Sequence, residues 1–393
     1  MNTWHVADGY RFAGVHSGLR ANEPGRLDLA LIVSDRPAVA AGVFTQNRVC
    51  AAPVHVCRER LPAGNMRGIV ICSGNANACT GQQGLDDARR MTALAAQSVG
   101  ADAKQMLVCS TGVIGRLLPM TIMEAGIPSV AKELAAGAAA LERAARAILT
   151  TDTRVKIRTR ALNEYHVTGF AKGAAMIGPN MATMLAFVLT DAPIDVADLV
   201  ALAPVAADQS FNCISVEGHT STNDSLIFLA NGTGPKLKGG ALQSFNEAAI
   251  SVCKELARDM ADDAEGASHL VTIHVEGTRT DAEARTIAKT IAESALVKTA
   301  LFGADPNWGR FVSAAGYAGV AFAEAQLSLT LGDFLLYDKG TPLPFDAAAV
   351  SAYMKANREL TMRLMFALGT GRCTFYTCDL TYEYVKLNAD YTT

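Results

Sequence analysis

The sequence predicts layered α and β structure, and three observations carry that expectation. Short β-rich runs alternate with alanine-rich amphipathic stretches along the chain, glycine is plentiful at 33 residues, and aromatic residues make up only 6%. At 393 residues the chain is too long for one ordinary hydrophobic core, which points to two or three domains. Half of the residues are apolar and 19% are charged, a balance that excludes a disordered tail or a solvating linker.

Residues 67–73 (RGIVICS) read as a buried strand ending at Gly74, and 106–109 (MLVC) as another that runs into Ser110, Thr111 and Gly112. Both lead into polar, glycine-containing loops, where sites tend to be built. Residues 129–149 read as one helix, with Ala131, Leu134, Ala135, Leu141, Ala144, Ala145 and Ile148 at near-helical spacing and Gly137 as its weak point. In TRVKIRTRA, residues 153–161, period two puts Arg154, Lys156, Arg158 and Arg160 on one strand face, expected to be solvated or to protect an edge. GTGPKLKGG at 232–240 marks an exposed loop. Thr280 and Glu283 have capping-box spacing before a helical pattern through Ala284, Ile287, Ala288, Ile291 and Ala295. A smaller second domain is expected from there, dividing the chain into residues 1–279 and 280–393.

Charge and cysteine usage exclude several classes. Lysine plus arginine is 35 against 38 aspartate plus glutamate, and a net charge of −3 offers no footprint for nucleic acid. No apolar run approaches the roughly 18 residues of a membrane span, and MNTWHVADGY lacks the basic and apolar blocks of a secretory signal. A cytoplasmic protein is expected. The nine cysteines include no Cys-x-x-Cys pair, so reduced and mostly buried thiols are expected, with neither metal nor cofactor.

Few residues announce chemistry by type and spacing. The seven histidines show no metal-ligand pairing and accompany no nucleophile elbow, and GTGR at 369–372 completes neither a dinucleotide fingerprint nor a P-loop. KGAAMIGPNMATML at 172–185 is a polar, glycine-rich approach to an apolar strand-like segment. Its Gly178-Pro179-Asn180 turn can present the Thr183 hydroxyl at the strand start, although a satisfied threonine at a strand entrance is the commoner case. Thr111 and Gly112 can offer a hydroxyl or backbone amides to an oxyanion, or form an ordinary turn. Glu265 in AEGAS can meet an ammonium group or be a surface glutamate; the tail LNADYTT at 387–393 is by default frayed.

The chain resembles the ornithine acetyltransferase (glutamate N-acetyltransferase, ArgJ) family from end to end. The resemblance is carried by GNANACTG at 74–81, STGVIG at 110–115, LTTDT at 149–153, KGAAMIGPNMATML at 172–185, SFNCISVEGHTSTND at 210–224, DPNWGR at 305–310 and CDLTYEYVKLNADYTT at 378–393. It implies an αββα sandwich of N-terminal-nucleophile type with a smaller C-terminal domain, and a heterotetramer of two cleaved protomers. It also implies self-cleavage between Ala182 and Thr183, giving chains 1–182 and 183–393. By similarity, Thr111 and Gly112 match the family's oxyanion-stabilising pair, while Thr150, Lys172, Thr183, Glu265, Asn388 and Thr393 match its substrate contacts. The implied reaction moves acetyl from N-acetylornithine to glutamate through an acetyl-Thr183 ester, with the freed α-amine as base. No signature decides whether acetyl-CoA is also a donor. Ala264 stands where the family commonly has glycine, His269 where lysine is usual and Val155 where proline is frequent. These departures leave open a paralogue of altered donor or acceptor, and a hydrolytic amidase or aminopeptidase is the other alternative.

Overall fold

The computed structural model describes residues 4–20, 23–178 and 184–390, so Ala182, Thr183 and Thr393 lie outside the described residues. In chain order the first elements are β1 (Tyr10–Val15), β2 (Leu29–Phe44), α1 (Ala52–Arg60), β3 (Ala63–Asn75), α2 (Gly81–Val99), β4 (Met106–Val113), α3 (Met120–Lys132) and α4 (Ala138–Ala147). They are followed by β5 (Lys156–Leu162), β6 (Tyr165–Lys172), β7 (Leu185–Thr190), α5 (Val196–Asp208), β8 (Ile214–Ser215), β9 (Ser225–Ala230), α6 (Gly239–Asp262) and β10 (Leu270–Thr278). The remainder is α7 (Asp281–Glu293), α8 (Ala295–Phe302), α9 (Trp308–Gly316), β11 (Leu327–Leu331), β12 (Phe334–Asp338), β13 (Thr341–Pro342), α10 (Ala347–Ala356), β14 (Glu359–Phe366), β15 (Gly371–Cys378) and α11 (Tyr382–Asp390).

The long strand β2 organises the first sheet, whose order is β4-β3-β2-β9-β7-β6-β5 with β1 also on β2. Its first residues, Leu29–Val33, pair with β1 and β3; after register shifts around Ala38, Val39–Phe44 pair with β9. The bend folds the sheet over on itself into two facing layers. Ala30, Ile32, Ile69, Ile71 and Leu107 of one layer share a core with Phe170, Leu185, Phe187, Ile227 and Leu229 of the other. Strand alternation sends the remaining side chains outward. Leu31, Val70 and Val108 meet Met91, Leu94 and Ile127 on α2 and α3, while Val167, Val188 and Phe228 meet Leu199, Leu202, Val252 and Leu256 on α5 and α6. The result is the αββα sandwich that the family resemblance implies.

A second sheet, ordered β13-β12-β11-β14-β10-β15-β8, packs one face on α7, α8, α9 and α10 through Val271, Ile273, Leu329, Met362, Ile287, Ile291, Leu301 and Met354. Strand β10 lies between β14 and β15, and Ile214–Ser215 pair in parallel with β15. The expected boundary at 280 therefore does not separate the two sheets: the second draws strands from before it. Residues 129–149 are not one helix either, because the chain leaves α3 after Lys132 and re-enters α4 beyond Gly137, which has φ of 91°. At Thr280 the side chain accepts the Glu283 N–H (3.2 Å) as capping predicts, but the Glu283 carboxylate turns to the Arg279 N–H instead of closing the box.

As expected, β5 is an edge strand, and Arg154, Arg158 and Arg160 stay partly exposed along it, but all four cations of β5 and its approach also have carboxylate partners. Arg154 meets Asp262, Arg158 meets both oxygens of Asp259 at 2.6 and 2.7 Å, and Arg160 meets Glu255. Alternate strand residues rise about 6.6 Å and one helical turn about 5.4 Å, so acids spaced along one face of α6 keep step with them. Lys156 is the buried member: its ammonium sits 2.7 Å from Asp152 and 2.5 Å from Asp263, with no exposure of its side chain. Removing it strands two buried carboxylates. Lys156→Met is expected to lower the urea midpoint by the equivalent of about 3 kcal/mol, and Asp152→Asn with Asp263→Asn in the same chain to recover part of that loss.

Candidate active site

Six of the positions singled out by resemblance, Thr111, Gly112, Thr150, Lys172, Glu265 and Asn388, line one cavity of about 670 Å³. They come from distant parts of the chain, and the ends of parallel strands bring the first of them together. Parallel pairing of β3 with β4 aligns Gly74 with Gly112, and Gly112 has φ of 129°. A Cβ there would lie 2.3 Å from the Gly74 carbonyl carbon, so only glycine can keep these backbones together. The following loop is pinned by Asn75, whose amide donates to the Arg116 and Leu117 carbonyls at 3.1 and 3.2 Å.

Lys172 ends β6 with only 2% exposure, and its ammonium donates to the Thr111 hydroxyl at 3.3 Å. Among the described residues no carboxylate lies within ion-pair distance of it. Burial pushes its pKa below the ordinary lysine value; the Asp152 carboxylate opposes that shift, and Lys156 and Arg20 add to it. A buried cation with one long hydroxyl contact is suited to an incoming carboxylate.

Behind these residues, the Lys156 cluster fixes the cavity wall. Asp152 accepts the Thr150 N–H at 3.1 Å and the Gly173 N–H at 2.6 Å, so one carboxylate aligns the backbone at two wall segments. Burial works against ionisation of Asp152, but Lys156, Lys172 and the Gly173 N–H overcome it and hold the carboxyl well below the usual range. Asp263 takes the Thr153 N–H at 3.1 Å and stands two residues before Glu265, whose own N–H bonds the Ala174 carbonyl at 2.9 Å. Asn223 bridges the opposite wall, donating to the carbonyls of Ala76 (2.6 Å) and Ser110 (2.9 Å).

The tail returns to the site. The Asn388 amide donates to Glu265 at 3.1 Å, and Thr381 donates to the Gly266 carbonyl at 2.7 Å. Gly266 admits this contact because a Cβ would fall 2.5 Å from the Tyr384 nitrogen. Thr183 and Thr393 fall outside the described residues, but Met184, directly after Thr183, donates its N–H to Asp224 at 3.0 Å, next to the lining residue Asn223. Sequence reasoning missed Asp152, Asp263, Asn223 and Asp224 as supports. Asp152, Asn223 and Asp224 lie inside motifs that carried the resemblance, yet nothing in their spacing reveals that they hold backbone.

The profile of the ArgJ family matches residues 11–393. The chain belongs to that family. A Geobacter sulfurreducens arginine biosynthesis bifunctional protein ArgJ is 46% identical, over 98% of this chain and 99% of the relative. A Thermosynechococcus vestitus protein of the same name is 44% identical, over 99% of this chain and 97% of the relative. The Bacillus halodurans ArgJ crystal structure is similar with a TM-score of 0.50 and 34% identity, covering 52% of this chain and 98% of that one.

None of the three positions expected to depart from the family pattern is among the residues that line the cavity. Ala264 and Val155 pack against hydrophobic cores, and His269 is 8% exposed. Its Nδ1 is 2.9 Å from Asp379 and its Nε2 3.1 Å from the Met354 carbonyl, so both ring nitrogens face acceptors. The Asp379 hydrogen bond raises the His269 pKa, against burial, and ties the Glu265 loop to the segment before α11.

Two outcomes follow from these charges. Lys172→Met is expected to raise KM for a carboxylate substrate by one to two orders of magnitude with no loss of melting temperature, because a poorly paired buried charge is removed. Wild-type KM should climb with pH as Lys172 deprotonates, starting below the range of an ordinary lysine; KM profiles of both proteins check this. A raised histidine pKa stabilises the fold fully below about 6.5, and that contribution fades as pH rises through the higher folded value. His269→Lys should therefore flatten the fall in melting temperature on the alkaline side, an effect of less than about 1 kcal/mol after solvent screening.

Proposed function

We propose that the protein is a self-processing acyltransferase that moves the acetyl group of N-acetylornithine to glutamate, releasing ornithine and N-acetylglutamate in an arginine-biosynthetic role. The observation that carries this reading is that one cavity is lined by the buried Lys172, whose ammonium donates to the Thr111 hydroxyl, by the separate Glu265 carboxylate and by the Thr111-Gly112 turn. An amino-acid substrate matches that arrangement: Lys172 takes the α-carboxylate and Glu265 the side-chain ammonium. The relatives' names as arginine biosynthesis proteins support the same role. The Bacillus halodurans chain supports cleavage, since it is matched over 98% of its length yet spans only 52% of this chain, as one product of a cut precursor would.

In the proposed chemistry, scission between Ala182 and Thr183 frees an α-amine on the residue that carries the hydroxyl. With an ordinary pKa of about 7.7–8.0 that amine is a base at working pH. It takes the hydroxyl proton as Oγ attacks the acetyl carbonyl carbon, and the developing oxyanion is met by the Thr111-Gly112 turn. The amide C–N bond breaks, the amine returns its proton to the leaving nitrogen, and ornithine departs from an acetyl-Thr183 ester. The α-amine of glutamate then attacks the ester, the C–Oγ bond breaks, and the hydroxyl is restored. The reading places the enzyme in the cytoplasm as a heterotetramer of two cleaved protomers.

Intact-mass measurement before and after N-acetylornithine tests scission and acetylation together. Wild type should give two chains and an acetyl adduct on the second; Thr183→Ala should stay one chain with transfer reduced at least about 10³-fold. Thr111→Ala should lower kcat by about 10²-fold. Acetate release that is indifferent to glutamate would make the protein a hydrolase, and normal turnover by Thr183→Ala would remove the nucleophile.

A further inference from the structure

Two thiols that take no part in the proposed reaction stand face to face, far from each other in sequence. The Sγ atoms of Cys213 and Cys373 are 3.8 Å apart across a separation of 160 residues. Both are free; Cys213 is buried and Cys373 partly exposed. The backbone fixes both positions. Cys213 ends the tight turn Phe211–Cys213, where its N–H donates to the Ser210 carbonyl at 2.8 Å, and Ile214 directly after it pairs in parallel with Tyr376 of β15. Cys373 lies on β15 opposite Val275 of β10. The two side chains share the apolar core under the second sheet, whereas Phe211 and Ile214 on either side of Cys213 pack into the core of α5 and α6. This turn therefore spans the sandwich and the second sheet.

The two thiols are electrostatically unequal. The Cys373 thiol hydrogen-bonds the Cys213 sulfur, and that bond, aided by the Arg285 and Lys254 charges, outweighs burial and the Asp208 carboxylate and lowers the Cys213 pKa. The same bond, with burial, raises that of Cys373. A thiolate is the nucleophilic form of cysteine, and a thiol beside it can resolve the oxidised product. A disulfide bond is about 2.0 Å long, so rotation about the two Cα–Cβ bonds has to bring the sulfurs roughly 2 Å closer.

We infer that Cys213 and Cys373 form a reversible redox site that reacts with hydrogen peroxide and closes to a disulfide, stapling β15 to the turn after α5. The Cys213 thiolate attacks one peroxide oxygen, the O–O bond breaks, and a sulfenic acid forms as hydroxide leaves. The Cys373 sulfur then attacks the sulfenic sulfur, the S–O bond breaks, and the thiol proton departs with that oxygen as water. Over both steps the two thiols lose two electrons and two protons, and one peroxide becomes two waters. Strand β15 leads directly into α11, which carries Asn388 to the cavity, so the staple restrains the root of the tail. Both cysteines follow residue 183, so the bond closes within one chain whether or not the protein is cut.

Cys57 and Cys109 supply an internal comparison, because their thiols are also neighbours but are fully buried. Reduced full-length protein is treated with a few equivalents of hydrogen peroxide, alkylated in denaturant and digested without reductant. Mass spectrometry should find peptides joined through Cys213 and Cys373, with Cys57 and Cys109 alkylated. The melting temperature should rise by about 5 °C, and dithiothreitol should reverse both changes. In Cys373→Ser the rise should vanish and Cys213 should oxidise onward to sulfinic acid. Cys213 and Cys373 recovered unlinked after the exposed Cys79 has been oxidised would overturn the inference. Equal linkage of Cys57 to Cys109 would overturn it too, since peroxide would then be reaching unfolded chain. The mapping needs only wild type, so a variant that fails to fold leaves the test intact, and no readout depends on acyl transfer.

Discussion

Lys156 is clamped between Asp152 and Asp263 with none of its side chain exposed, and the walls of the cavity hang from that contact. A lone charge there would be prohibitive; the cluster persists because each carboxylate also collects backbone N–H groups. Those extra bonds reach outward, from Asp152 to Thr150 and Gly173 and from Asp263 to Thr153. The Asp152 carboxylate of the cluster also helps to hold the nearby Lys172 ammonium in a site where burial and the Lys156 charge disfavour it. Stability and substrate recognition thus share one set of carboxylates.

The cavity itself is left partly unsatisfied. Among the described residues Lys172 has a single long hydroxyl contact, although a folded chain ordinarily pairs such groups. That cost is borne where a ligand can repay it. The surrounding sandwich, with its three continuous cores, provides the surplus that allows it.

Much was legible from local pattern. Short buried apolar runs leading into glycine-containing loops located β3 and β4, the Thr280 cap located α7, and the quoted motifs marked six residues that converge on one cavity. Other readings failed for want of a partner. The edge strand β5 was read correctly, but the ion pairs of its cations went unseen because Glu255, Asp259 and Asp262 lie about a hundred residues away on α6. The single helix over 129–149 looked continuous because alanine-rich spacing persists across Gly137, where the backbone turns left-handed.

Read alone, the chain decides its layered class, the alternation that feeds two cores from each strand, and membership of the family whose motifs it carries. These are local properties, written in spacing and residue type. The packed fold alone decides that β2 bends to make two layers, that β10 joins the second sheet, and that Asp152, Asn223 and Asp224 are supports. A side chain's charge acquires a role from what lies within a few ångströms of it, and in this protein those neighbours come from distant segments: Arg36 donates to the Asn231 carbonyl, 195 residues away.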